Sequence, residues 1–108
     1  MEHGASIGGL ITMYHEVEAE ALRCEIRVSD ILSIHTRHSV YEFFVIDPVR
    51  VYGLLKGGVV GTCATEAFCC EPASLTPGSK AQLLIESATG LRFITTSPIT
   101  SVKHFRNE

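Results

Sequence analysis

A short stretch near the middle of the chain carries the residue types best suited to binding a ligand. Arg37 offers a planar guanidinium group for a carboxylate or phosphate, and His35 and His38 can change protonation near neutral pH. Tyr41 supplies an aromatic face and a hydroxyl group. We therefore predict a ligand or partner site where this turn meets an irregular segment over 62–79. The alternative is that these residues only complete a polar turn, with Tyr41 packed against the core.

The cysteines are the next candidates for chemistry. Cys63, Cys69 and Cys70 fall in the 62–79 segment, but they lack the pair of closely spaced cysteines typical of structural zinc sites. The histidines are scattered and do not complete such a site. We therefore predict no metal site and no cofactor. The four thiols, Cys24 included, are expected to stay reduced, because the chain shows none of the signs of secretion.

A thiol in the 62–79 segment could instead act as a nucleophile. Such a cysteine needs an electropositive, partly exposed setting and a neighbouring base. His35 or His38 could reach it in three dimensions, although nothing in the spacing requires this. A small thiol-dependent or metal-dependent enzyme that uses this segment is accordingly the alternative function.

Length and composition bound the possible functions. The chain has 108 residues, of which 45% are hydrophobic and 19% charged, a balance typical of a single globular domain. The formal net charge is −3, and no Lys/Arg run marks a track for phosphates, which disfavours nucleic-acid binding. No apolar stretch approaches the roughly 20 residues needed to span a bilayer. We predict a cytoplasmic protein without membrane association.

The first periodic pattern predicts an amphipathic helix over 10–22. Large apolar residues recur on one side of it at spacings of three and four, namely Leu10, Met13, Tyr14 and Val17. Neither Gly nor Pro interrupts the segment, which suits a helix. A domain of this size has little outer surface with which to cover the stripe. We therefore expect these four residues to contribute to a contact between copies of the chain.

Beyond residue 23 the period shortens to two, which predicts strands. The strongest signal is the β-branched and aromatic run VYEFFVI at 40–46. Further strands are predicted at 24–28, 31–36, 49–55, 81–87, 91–96 and 99–105. Short strands joined by tight turns predict a mainly β fold, a small SH3-like or Sm-like antiparallel barrel. We assign 1–9 as a flexible N-terminus and 10–108 as a single barrel domain that begins with the helix.

Three short motifs resemble a recurring pattern in small bacterial β-barrel proteins of unknown function, which runs as VGD, then TRNSVY, then TSP. Here the motifs stand as RVSD at 27–30, TRHSVY at 36–41 and TSPI at 96–99. Ser29 replaces the glycine of the pattern and His38 replaces its asparagine. Both positions are turns, and both replacements make a positive φ harder to reach. The resemblance implies a barrel and no particular activity.

Without a catalytic or metal motif, the chain is best interpreted as a non-enzymatic interaction or assembly module. We expect it to form homo-oligomers, with an unidentified protein or small molecule as a further partner. RNA binding is a second alternative beside the enzyme, because Sm-like barrels bind RNA. The acidic balance of the chain, and the lack of aromatic residues interleaved with basic ones, weigh against it.

Overall fold

The computed structural model describes residues 14–17, 26–70, 75–87 and 89–107. These residues form a mainly antiparallel β-structure with seven strands in one sheet. The strands are β1 (Tyr14–Val17), β2 (Ile31–Thr36), β3 (Val40–Asp47), β4 (Tyr52–Gly57), β5 (Gly61–Cys70), β6 (Lys80–Ser87) and β7 (Gly90–Asn107). A turn of 3-10 helix, Gly58–Val60, joins β4 to β5. No helix within these ranges has the length and apolar character needed to cross a membrane.

Strands that follow one another in the chain are neighbours in the sheet. β2, β3, β4, β5 and β6 pair successively, and every pairing is antiparallel. The long strand β7 pairs with β6 through residues 90–98 and with β2 through residues 99–105. β1 pairs with the last residues of β7. One strand therefore contacts both ends of the β2–β6 meander.

Alternation along the strands builds the core. In β3, Tyr41, Phe43 and Val45 are buried, while Val40 and Glu42 face outward. The neighbouring strands present their own buried residues to the same interior, among them Leu32, Ile34, Leu55, Ala67, Cys69, Leu83, Ile85 and Ile99. Full burial of one such large apolar side chain contributes roughly 1.5–3 kcal/mol. The inward face of the sheet therefore carries most of the hydrophobic stabilisation.

The helix predicted over 10–22 is not found where the structure describes that segment. Tyr14–Val17 forms β1 instead and pairs antiparallel with the end of β7. A short amphipathic helix is marginal by itself, and here β7 offers the same residues a ladder of backbone hydrogen bonds. Leu10, Met13 and the predicted flexible stretch 1–9 lie outside the described residues.

The first half of the segment predicted to be irregular, 62–79, forms a strand. The prediction is wrong over that half. Residues 61–70 form β5, with β4 on one side and, from Ala67 onward, β6 on the other. Ala67 and Cys69 alternate into the core. These small side chains give a weak hydrophobic signal in the sequence. The strand is secured by backbone pairing with its two neighbours.

The strands predicted at 91–96 and 99–105 are one continuous strand, β7. Pro98 lies within it, beside a register shift in the pairing with β6. The Pro98 carbonyl accepts a hydrogen bond from the N–H of Arg37 outside the sheet ladder. The irregularity lets proline stand inside the strand without leaving a ladder position unfilled.

The turn before β2 departs from the predicted strand over 24–28, whose described residues lie outside any strand. Ser29 adopts a φ of 74°, the left-handed conformation that favours glycine. Its N–H donates to the carbonyl of Val45 at 2.8 Å, which holds the turn against β3. His38 is not among the residues with positive φ in the described part of the chain, so only one of the two replaced turn positions demands that conformation.

Candidate functional site

The four residues predicted to bind a ligand lie on different sides of the sheet. His35 and Val40 face each other across β2 and β3 on the outer face. Arg37 and His38 are exposed in the turn between these strands. Tyr41 faces the opposite way, with 3% of its surface exposed. Its ring therefore packs in the core, where it offers no aromatic face to solvent.

The hydroxyl of Tyr41 has a structural partner as well. It accepts a hydrogen bond from the N–H of Val59 at 3.4 Å, where the 3-10 turn passes over the ring. A side chain at Gly58 would collide with that ring, since a Cβ there would lie 2.2 Å from the Tyr41 Cζ. Tyr41 therefore shapes the connection between β4 and β5.

The turn that carries Arg37 and His38 is fastened to β7. The Thr36 hydroxyl accepts from the N–H of Ser39 at 3.1 Å, and the N–H of Arg37 donates to the carbonyl of Pro98 at 2.9 Å. Directly beyond Pro98, Ile99 exchanges backbone hydrogen bonds with the 76–79 turn, at 2.7 and 2.8 Å. The two turns thus flank the same part of β7. A binding role for this region stays a prediction.

The predicted contact residues that the structure describes are engaged within the chain. The Tyr14 hydroxyl donates to the carbonyl of Ser29 at 2.9 Å. Val17 lies opposite His104 in the pairing of β1 with β7. Both side chains are partly buried, so part of the expected stripe already packs on its own domain.

A charged cluster fills one end of the core. Asp30 is fully buried, and His104 is 1% exposed. The Nε2 of His104 donates to the Oδ2 of Asp30 at 2.6 Å. Arg106 adds two hydrogen bonds to the same carboxylate, from Nε at 3.3 Å and from Nη2 at 3.1 Å. The N–H of Arg27 completes the set at 2.9 Å. These groups are named here the Asp30 cluster.

The electrostatics of the Asp30 cluster favour an ionised carboxylate. Burial raises the pKa of Asp30, but hydrogen bonds from Arg106, the Arg27 N–H and His104 outweigh it and leave the pKa below its ordinary value. Burial, together with the nearby Asp30 charge, raises the pKa of Tyr14. The Nδ1 of His104 is buried without a hydrogen-bond partner within the described residues. The cluster therefore holds one buried carboxylate firmly, between the buried His104 and the partly buried Arg106.

Sequence reasoning missed this cluster because Asp30 and His104 are 74 residues apart. One signal was present. His104 and Arg106 occupy alternate positions of a strand, and His104 shares the inward face of the sheet with Leu32. Burying polar or charged side chains on a core face is costly unless they are paired, so such a pair indicates an opposite charge nearby.

A serine and a histidine also meet on the outer face. The hydroxyl of Ser33 and the Nε2 of His35 are 3.1 Å apart on β2. The nearest part of the sheet supplies Glu42, which pairs opposite Ser33 but forms an ion pair with Lys56 at 3.7 Å. The buried carboxylate of Asp30 is held by His104 on the other side. Neither of these two acids therefore completes a relay with Ser33 and His35.

The remaining candidates for chemistry are the thiols and an open cleft. Cys63 is exposed, while Cys69 lies in the core. The cleft, of about 380 Å³, is lined by Val40, Glu42, Lys56, Gly57, Gly58, Gly61 and Thr62. Within the described ranges, no group of three histidine, cysteine or carboxylate side chains could hold a metal ion. Cys63 is not among the residues that line the cleft.

The outer face of β4–β7 carries a row of apolar side chains. Tyr52 pairs with Phe68, Phe68 with Leu84 and Leu84 with Phe93. The rings of Tyr52 and Phe68 lie 5.0 Å apart between centroids. Phe93 is 57% exposed, and the neighbouring Leu91 is 67% exposed. The four paired residues, Tyr52 to Phe93, are named here the outer row.

Charged groups of both signs border the outer row. Burial and the carboxylates of Glu66 and Glu86 raise the pKa of Tyr52, whereas Arg50 acts in the opposite direction. Arg50 also contacts Asp47, with 3.5 Å between Nε and Oδ2. An exposed apolar strip rimmed by charges is typical of a protein–protein contact surface.

Comparisons of the chain with protein-family models, curated proteins and solved structures find no significant match.

Proposed function

We propose that this chain is a non-enzymatic interaction module that assembles with copies of itself through the outer row. The observation that carries the proposal is a continuous run of apolar side chains across four strands, ending in the exposed Phe93. Exposing such a row to water is unfavourable in a monomer, and covering the row with a partner removes that unfavourable exposure. We further propose that the module acts in the cytoplasm, where the exposed Cys63 stays reduced.

The architecture that we propose for the module is a small antiparallel barrel of SH3-like or Sm-like type. Its support is the double pairing of β7, which bonds to β6 through its first half and to β2 through its second. A meander whose two ends share one strand leaves few open edges. The motifs that resemble the bacterial barrel pattern point the same way.

A second copy fits the outer row better than a strongly charged partner does. Glu66 and Glu86 border the row on the acidic side, and Arg50 borders Tyr52 with the opposite charge. A patch that carries both signs can match its own two-fold copy, because an acid of one copy can meet the base of the other. The chain's modest net charge of −3 adds little repulsion.

Sedimentation velocity across a concentration series tests the proposal. We expect the wild-type chain to associate in the micromolar range and Phe93→Ser to weaken that association. Removing an aromatic anchor costs about 1.5–3 kcal/mol, which corresponds to roughly 10-fold to 150-fold in affinity.

Val59→Ser is the matched control. Val59 is 62% exposed, close to the exposure of Phe93, but it lies in the 3-10 turn away from the row. It should leave the association unchanged. A wild-type chain that stays monomeric at about 100 μM, a concentration far above the Kd of a specific interface, would overturn the proposal.

A further inference from the structure

The outward-facing residues of β6 carry opposite charges on the two sides of the outer row. They alternate with buried core residues and are Lys80, Gln82, Leu84 and Glu86. Leu84 belongs to the row, Lys80 lies four residues before it and Glu86 two residues after it. Since a strand rises about 3.3 Å per residue, the two charges are roughly 20 Å apart along β6. A base and an acid therefore lie on opposite sides of the row.

β4 repeats this arrangement. It runs in the same direction as β6, because both strands pair antiparallel with β5. Arg50, with 66% of its side chain exposed, precedes Tyr52 of the row. The exposed Glu66 pairs opposite Leu54, two residues after Tyr52. The two bases thus lie on one side of the outer row and the two acids on the other. Arg50 and Lys80 are named here the basic rim, and Glu66 and Glu86 the acidic rim.

We propose that two copies of the chain meet face to face through the outer row, with a two-fold axis that runs along the row and across the strands. This inference rests on the proposed function, which makes a second copy the partner of the row. Rotation about this axis exchanges the two sides of the row, so the basic rim of each copy faces the acidic rim of the other.

The strand geometry brings Lys80 of one copy toward Glu86 of the other. Lys80 lies two residues farther from the axis than Glu86 does, which is roughly 7 Å along the strand. The flexible four-carbon stem of the lysine covers that offset. Because the axis is two-fold, the same contact forms twice in the dimer.

The other face-to-face arrangement has its two-fold axis parallel to the strands. It would place the acidic rim of one copy on the acidic rim of the other, which is unfavourable. Burial, and then the carboxylates of Glu66 and Glu86, raise the pKa of Tyr52, so both acids already lie close to the row. Charge therefore selects the axis along the row. It also selects a second copy as the occupant, because a row with one basic rim and one acidic rim is complementary to itself.

Charge reversal in the full chain, followed by sedimentation velocity, tests the orientation. Lys80 and Glu86 are changed rather than Arg50, which also contacts Asp47 of its own chain. Lys80→Glu and Glu86→Lys should each weaken the dimer roughly tenfold, because like charges then meet at both contacts. An equimolar mixture of the two variants should restore the wild-type affinity, since both contacts of the mixed dimer then join opposite charges.

Lys103→Glu and Glu16→Lys are the matched controls, because they make the same changes of charge elsewhere on the sheet. Lys103 pairs opposite Ser33, and Glu16 pairs opposite Phe105. Both side chains are exposed, and reversing either charge should leave the affinity unchanged. Circular dichroism checks that each variant is folded.

The outcomes separate this orientation from the proposed function. A Glu86→Lys chain that dimerises as tightly as wild type, or more tightly, would overturn the axis along the row. So would a mixture that does not regain affinity. If Phe93→Ser still weakens the wild-type dimer in that case, the outer row stands as the interface. A wild-type chain that is monomeric, or a dimer that Phe93→Ser does not weaken, would overturn both proposals.

Cross-linking of the wild-type dimer gives a readout that needs no variant. A carbodiimide activates a carboxylate, which then condenses with a lysine amine to form an amide, while the reagent takes up the water as a urea. Within one chain Lys80 and Glu86 are roughly 20 Å apart along the strand, too far for such a direct link. In a mixture of isotopically light and heavy chains, peptide mass mapping should find Lys80 of one joined to Glu86 of the other. A dimer that is cross-linked only at other positions would contradict the orientation.

Discussion

The two regions that stand out in this molecule reverse the usual placement of charge and hydrophobicity. The Asp30 cluster lies inside, where Asp30 is fully buried and held by His104 and Arg106. The outer row lies on the surface, where Phe93 is largely exposed. Buried charge is tolerated only when it is fully paired, and an exposed apolar row is retained only at some cost in solubility. The first region ties the chain together, and the second is the surface that we propose a partner covers.

The position of the Asp30 cluster explains its role. It connects the turn before β2 with the end of β7, and the Tyr14 hydroxyl binds the same turn through Ser29. The start of the described chain, the turn before β2 and the end of β7 therefore meet at residues 29 and 30. The outer row makes no such connection, because its members belong to strands that the backbone already holds together. Substitutions in the Asp30 cluster should consequently lower the free energy of unfolding. Substitutions in the outer row should mainly weaken self-association.

The largest effect should follow from Asp30→Ala. Removing the carboxylate takes away the group that the buried His104 and the partly buried Arg106 both contact, and the loss of one member of a buried charged set costs about 3–5 kcal/mol. Urea denaturation monitored by circular dichroism measures the free energy of unfolding. Glu42→Gln is the control, because it breaks the exposed Glu42–Lys56 pair and should cost less than about 1 kcal/mol. Equal losses for both variants would contradict the comparison.

The pH dependence of stability should separate the cluster from the surface acids. The pKa of Asp30 is lowered in the folded chain, so its contribution is present above the unfolded value of about 3.9. That contribution is lost as the pH falls from there through the folded pKa. The difference in unfolding free energy between wild type and Asp30→Asn should shrink as the pH drops below about 4. A difference that stays constant down to the acid transition would show that the carboxylate is not ionised in the fold.

Ser29→Gly should stabilise the chain. Ser29 holds a φ of 74°, and a left-handed conformation costs a residue with a Cβ roughly 1–2 kcal/mol. Glycine removes that cost but loses more entropy on folding, so we expect a net gain of about 0.5–1 kcal/mol. Thermal unfolding measures the change. His38→Gly, at the other turn position of the motif, is the control and should destabilise, since His38 needs no positive φ.

The smallest effect on folding should come from Phe93→Ser. The exposed ring contributes little to the monomer, so its unfolding free energy should change by no more than about 0.5 kcal/mol. The same substitution is expected to weaken self-association. A large loss of stability without a change in association would assign Phe93 to the fold of the monomer.

Much of the strand content follows directly from local pattern. The run at 40–46 alternates large apolar residues on both faces and forms β3, and β2 covers the 31–36 that the pattern predicts. The prediction of a helix over 10–22 is wrong at Tyr14–Val17, because these residues pair with β7. The sequence spacing does not reveal that strand partner. β5 was missed for the related reason that its small residues rely on backbone pairing.

The candidate sites were less accessible to sequence reasoning than the strands. The four residues of the predicted ligand site are neighbours in the chain, yet Tyr41 faces inward and His35 outward. Alternation along a strand separates residues that the sequence places together. The outer row shows the opposite effect, because Phe68 and Phe93 are 25 positions apart in the chain and come close through the register of β5, β6 and β7.

What the sequence determined by itself is the period-two alternation that makes this a mainly β domain, and the positions of several turns, such as those at 37–39 and 57–58. Those features depend on neighbouring residues, whose φ and ψ preferences and burial pattern are local. Only the tertiary structure decided that Asp30 meets His104 and that apolar side chains line up across four strands. Each of these depends on which strands pair and in what register. Strand pairing and register are set by which arrangement places the apolar residues of all strands on the buried face. That depends on the packing of the complete core.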